Sequence, residues 1–199
     1  MVFEAEEEQE EVLNLKLWNR PIRDAEIATI IPSETVIEAF LKNCDRCGDR
    51  VACADDRSGI LTYPAVKMRV ILLARFLQKL PGKSIGIMLP SSVAASVLIL
   101  AIQLAKKVPV MLNWTLGPKH LQHAVELADP HVILSSWAFV DRLRNVDLDP
   151  IEEKLVFLED LRHELSLGDK WQAWRLSKKH AEELIKLFHV DESTKDDPG

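Results

Sequence analysis

Between Lys83 and Lys106 the sequence carries no charge at all, reading "SIGIMLPSSVAASVLILAIQLA", and this stretch constrains the fold more than any other. A charge-free run of that length either crosses a bilayer or lies inside a protein core. Pro90 and the pair Ser91 and Ser92 interrupt it. Only Ser91 to Ala105 is left with a helical pattern, short of the roughly 20 apolar residues a spanning helix needs. The run is therefore expected to be a strand, Ser84 to Leu89, followed by a buried helix, and no transmembrane segment is expected.

The same grammar repeats downstream. Val108 to Leu112 reads as a strand, Pro118 to Leu127 as a helix, and His131 to Ser135 as a strand. Two successive strand-helix-strand units require parallel pairing with right-handed crossovers. Strands as continuously apolar as "IGIML", "VPVML" and "VILSS" fit a sheet covered on both faces. A further cycle follows: "WAFVDRLR" as helix, "KLVFLED" as strand and "DKWQAWRLSKKHAEELIKLF" as one long helix.

Upstream, Ser33 or Thr35 is placed to cap a helix through Val36, Ile37, Phe40 and Leu41, with Glu38 completing a box after Thr35 and Gly48 ending it. "RVACADDRSGILTY" alternates around a polar turn as a hairpin does. Pro64 then opens a helix with an apolar stripe through Val66, Val70, Leu73, Ala74, Leu77 and Leu80. The expected fold class is α/β: a layered, mostly parallel sheet with helices on both faces. Residues 1–31, with six glutamates in the first eleven, are read as an acidic, partly ordered lead to a domain spanning 32–199.

The chain has 199 residues and a formal net charge of −6. That balance argues against a nucleic-acid surface, which needs clustered Lys and Arg. "MVFEAEEEQEE" has no basic region before an apolar core, so a cytoplasmic location is expected, with peripheral membrane association left open. The cysteines, Cys44, Cys47 and Cys53, are too few for a zinc site. The Cys44–Cys47 pair sits at the end of a predicted helix, whereas a redox pair opens one. They read as ordinary reduced thiols.

Pro90, Ser91 and Ser92 lie at the carboxyl end of a parallel strand, where a serine caps the next helix and where open parallel sheets also collect ligands. Both readings stand. Asn113, Trp114 and Thr115 follow another strand end, as a ligand-facing loop or as a turn capped by Thr115. His120, His123 and Glu126 recur at steps of three, a spacing able to place metal ligands, though solvated helix faces look the same. The residues Lys178, Lys179, His180, Glu182 and Glu183 read as the wet side of an amphipathic helix.

Phosphate-cradling loops turn several backbone N–H groups inward and are dense in glycine. The seven glycines here are scattered, and none forms G-x-G-x-x-G or G-x-x-x-x-G-K-[ST]. Gly-x-Ser-x-Gly and H-E-x-x-H are also absent from the sequence. No catalytic, cofactor-binding or metal-binding residue is assigned.

The order and spacing of "LTYPAVKMRVILLARFLQKL" and "KSIGIMLPSSVAASVLILAIQLAKKVPVMLNWTLGPKHLQHAVELADPHVILSS" resemble the amino-terminal part of the acyl-adenylate-forming family. Within it, "LPSSVAAS", "VPVMLNWTLGP" and "DPIEEKLVFLEDLR" look most like acyl-acyl carrier protein synthetases, including the synthetase half of 2-acylglycerophosphoethanolamine acyltransferases. The likeness runs from about Thr35 to Phe188. It implies the amino-terminal subdomain of the ligase fold, and, for the complete enzyme, ATP, magnesium and a carrier protein or CoA. The family's Thr-Ser-Gly-rich phosphate loop has no counterpart, because "KDDPG" stands where it would begin.

The expected function is therefore a truncated or split portion of a fatty acyl-activating ligase of the lysophospholipid-reacylating type. It would be inactive alone and completed by the remaining portion on another chain. A non-catalytic interaction module keeping the ligase scaffold is the alternative. A small flavodoxin-like binder using the serine and Asn-Trp loops is a third reading. An apolar face left partly exposed on strands such as "VPVML" is expected as well.

Overall fold

The computed structural model describes residues 32–143 and 146–192. The lead segment 1–31 and the tail from 193 lie outside the described residues. Helix α1 (Val36–Cys47) starts as expected, with Thr35 accepting a hydrogen bond from the Glu38 N–H at 3.2 Å. The return arm of the box does not close on Thr35. The Glu38 carboxylate accepts instead from the Glu34 N–H at 2.7 Å and pairs with Lys42 at 2.6 Å. Gly48 ends the helix at φ 54°, a conformation that glycine adopts at no steric cost.

Strands β1 (Val51–Asp55) and β2 (Gly59–Thr62) form the hairpin, and α2 (Tyr63–Leu77) follows with Pro64 in its first turn. The four-stranded sheet then comprises β3 (Ser84–Ile87), β4 (Val108–Met111), β5 (Ile133–Ser135) and β6 (Leu155–Phe157), all parallel, in the order β4-β3-β5-β6. From β3 the chain steps outward to β4 through α3 (Val93–Leu104), then back past β3 to β5 through α4 (Pro118–Ala128). Right-handed crossovers in opposite directions along the sheet place α3 and α4 on opposite faces. The expected α/β class with helices on both faces is what this order produces.

The charge-free run is the centre of the core. Ile85 and Ile87 of β3, and Ala101, Ile102 and Leu104 of α3, are fully buried, and Leu98 almost so. Each large aliphatic side chain buried there contributes about 2 kcal/mol. Gly86 is needed for close packing: a Cβ at this position would stand 2.9 Å from Ile133 Cγ1 and 3.3 Å from the Ile133 Cα. Coverage is uneven, however. Strand β4 is an edge, its Val108 and Val110 are half-buried, and Met111 is exposed. Pro109, which has no N–H to donate, is compatible with an edge and not with a central position. The expectation of a strand covered on both faces fails for "VPVML" for that reason, and the partly exposed apolar face expected on the same strand is what the edge position leaves.

Three elements differ from their sequence reading, the first being "WAFVDRLR", which is helical only at its start. "KLVFLED" is a strand only through Phe157, and Leu158–Glu164 continues as helix α6, after the short α5 (Trp137–Val140). The long terminal helix is broken into α7 (Leu167–Ser177) and α8 (Ala181–Leu187). The break is held by a buried lysine. Lys67 of α2, 5% exposed, donates from Nζ to the Lys179 carbonyl at 2.7 Å and to Asp45 Oδ1 of α1 at 3.2 Å. Asp45 Oδ2 accepts the Ala181 N–H at 2.7 Å, capping α8 from a distant part of the chain. Partial burial works to raise the Asp45 carboxyl, but the Ala181 N–H and Lys67 outweigh it, and the group sits below its ordinary value.

Candidate functional site at the carboxyl edge of the sheet

The chain reverses direction across the sheet between β3 and β5, and at such a switch point open parallel sheets hold ligands beyond the strand ends. Ser84 through Ser136 supplies most of this edge. Ser92 caps α3, accepting the Ala95 N–H at 3.2 Å. The hairpin reaches across as well, because Asp55 Oδ2 accepts the Val93 N–H at 2.8 Å. Asp55 Oδ1 accepts the N–H groups of Ser58, at 2.5 Å, and Arg57, at 3.1 Å. The Ser58 N–H first and the Val93 N–H next hold the Asp55 carboxyl below the usual range. Between them the two side chains take the Val93 and Ala95 N–H groups at the amino end of α3.

The neighbouring loops are closed in the same manner. Ser135, fully buried, donates from Oγ to the Met88 carbonyl at 2.8 Å and so ties β5 to the end of β3. Ser136 caps α5 by accepting the Phe139 N–H at 3.2 Å. In the loop after β4 the capping residue is Asn113, not Thr115. Asn113 Oδ1 accepts both the Thr115 N–H at 3.0 Å and the Thr115 hydroxyl at 2.7 Å. Trp114 packs edge-on against Phe139, ring centroids 4.6 Å apart.

The serine and Asn-Trp loops meet. Ser91, Ser92, Asn113 and Trp114 line one open cleft of about 360 Å³. A second cleft of about 410 Å³ lies between Pro90, the hairpin and α6, and Arg57, Arg142 and Arg162 line it together with Asp55 and Glu159. Its arginines come from elements far apart in sequence, so no local motif announces them. The amino end of α3 is a poor fit for the phosphates of ATP, because its Val93 and Ala95 N–H groups are engaged by a carboxylate that repels phosphate and by Ser92.

The other candidates separate. His120, His123 and Glu126 are exposed on α4, where Glu126 accepts from Gln122. Among the described residues no group of three or more His, Cys, Asp or Glu is placed to hold a metal. Cys44, Cys47 and Cys53 are free thiols, and burial pushes Cys44 up to about 12, which keeps it protonated. Among the described residues no helix is long and apolar enough to cross a membrane.

Residues 40–198 match the family model described as AMP-binding enzyme. The chain belongs to that family. Its fold is similar to that of VinN in complex with L-aspartate, at 18% identity and a TM-score of 0.55, over 74% of this chain and 40% of that one. It is also similar to the amino-terminal subdomain of Klebsiella oxytoca NpsA, at 20% identity and TM-score 0.54, over 67% and 32%. The luciferase-like enzyme of the mealworm Zophobas morio matches at 20% identity and TM-score 0.53, over 65% and 33%. This AMP-binding family chain thus spans two-fifths or less of the length of each of these relatives. At these identities the likeness is one of fold.

Proposed function

We propose that this chain is the amino-terminal part of an ATP-dependent acyl-activating ligase. The type is acyl-acyl carrier protein or acyl-CoA synthetase, acting in lysophospholipid reacylation at the cytoplasmic side. Its role is scaffolding, and by itself it forms no acyl-adenylate. The observation that carries this reading is the closed amino end of α3, where Asp55 and Ser92 take the N–H groups a phosphate would need. ATP and magnesium are held by sequence other than the described residues, and the acyl group passes from there to a carrier protein or CoA. The remaining ligase portion, on this or another polypeptide, packs against the half-exposed edge strand β4.

The test is ATP–pyrophosphate exchange with a long-chain fatty acid, run on the full chain alone and with the remaining adenylation portion added. Exchange only in the mixture is expected. ATP-dependent acylation of a carrier protein by the chain alone would overturn the proposal. A mixture inactive with fatty, aromatic and amino acids alike would leave the interaction-module reading as the better one. Stabilisation by nucleotide of the chain alone would favour a small-molecule binder using the cleft of Ser91 and Asn113.

A further inference from the structure

Helix α7 has two unlike faces. Its inner side, Ala173 and Leu176, is buried where the helix packs on α2. At 100° per residue, Leu167, Trp171, Trp174 and Lys178 share an arc of about 60° on the other side. These apolar side chains stay out of the core: Leu167 is 83%, Trp171 57% and Trp174 50% exposed. By the same spacing Lys170 and Arg175 flank the arc, about 40° to either side. The Arg175 guanidinium lies 5.5 Å from the centre of the Trp171 ring, and Lys178 Nζ lies 5.7 Å from that of Trp174.

The charge on this face is not cancelled from within the helix. Its one carboxylate, Asp169, is turned to the helix start, where it accepts the Ser166 N–H at 3.1 Å and the Ser166 hydroxyl at 2.6 Å. A chain with a formal charge of −6 thus concentrates exposed cations around exposed indoles. Because the helix is anchored by its capping box and its inner face, the outer residues are presented together.

We propose that the outer face of α7 docks on an anionic lipid bilayer. Leu167, Trp171 and Trp174 enter the headgroup boundary, while Lys170, Arg175 and Lys178 meet lipid phosphates. Indole rings favour that boundary because one side of the environment is apolar and the other wet. Basic side chains beside them add attraction to an anionic surface. A helix about 16 Å long is far too short to span a bilayer, and its outer arc lies along the boundary. The charge of the face selects an anionic surface. The proposal is independent of the reaction assigned above, since it needs no acyl substrate or nucleotide.

The test mixes the full chain with vesicles of phosphatidylcholine, with or without phosphatidylglycerol, and reads co-sedimentation and quenching of tryptophan fluorescence by brominated acyl chains. Binding to the anionic vesicles is expected, with quenching that Trp171→Ala together with Trp174→Ala removes. Lys170→Glu with Lys178→Glu should weaken binding about tenfold or more. Thermal unfolding of both variants reports whether they fold, and the charge variant carries the test if the alanine variant does not. Absence of binding to anionic vesicles, or binding unchanged in the folded variants, would overturn the proposal. So would a lipid-free dimer that the alanine variant dissolves, since the face would then belong to a second copy.

Discussion

The carboxyl edge of the sheet and the outer face of α7 treat their polar and aromatic groups in opposite ways. At the edge, Ser92, Ser135, Ser136, Asn113 and Asp55 all turn inward to satisfy backbone groups of this chain. On α7, Trp171 and Trp174 face solvent with cations over their rings. An edge closed by its own side chains gains rigidity and loses donors that a phosphate would use. A face left open gains nothing for folding, so its composition points to an interaction outside the chain. Position in the fold alone is thus a weak guide to function. The engagement of each group decides.

The largest way to break this comparison is at the strand beneath the edge. Gly86→Val should destabilise the chain by about 3 kcal/mol, because overpacking between β3 and β5 leaves the Ile133 backbone no room to give. Urea unfolding checks this, and an unchanged midpoint would show that the edge does not rest on close packing of β3 against β5.

Asp45→Ala comes next, at roughly 2 kcal/mol. It leaves the buried Lys67 ammonium with the Lys179 carbonyl alone and takes the cap from α8. The figure is below that of a fully buried pair because Asp45 is 30% exposed. The pH dependence follows from its lowered carboxyl. The contribution is present above the ordinary value near 4 and is lost as pH falls through the folded value beneath it. Acid unfolding should therefore lose one protonation-linked contribution in the variant, and identical acid profiles would refute the assignment.

Ser92→Ala should cost about 1 kcal/mol, the usual effect of removing an N-cap. Hydrogen exchange at the Ala95 amide would rise. Retained protection there would mean that Asp55 alone suffices to hold the helix end. The smallest effect sharpens the contrast: Trp171→Ala with Trp174→Ala should change stability by less than about 0.5 kcal/mol, as exposed substitutions do. A large loss would show that α7's outer face serves the fold after all.

The alternation of apolar strands and helices between Ser84 and Ser135 determined the parallel sheet and its crossovers, because period and turn chemistry are local and written in the residues themselves. The hairpin and the burial of the charge-free helix were legible for the same reason, and the cap of α1 was narrowed to Ser33 or Thr35, of which the structure uses Thr35. The partly exposed face expected on "VPVML" was legible too, since Pro109 has no N–H to give to a ladder; the order β4-β3-β5-β6 then fixed which neighbour it pairs with. The sequence could not show that Asp55 would cross from the hairpin to the end of α3. The division of the terminal helix, made by Lys67 and Asp45, was equally out of reach. Those partners lie tens of residues or more apart, and their hydrogen bonds exist only once packing has brought the segments together. At 100° per residue Trp171 and Trp174 share one side of α7. Which side faces solvent was settled by the packing of Ala173 and Leu176 against the rest of the chain, since burying one stripe of a helix decides what the opposite stripe must expose.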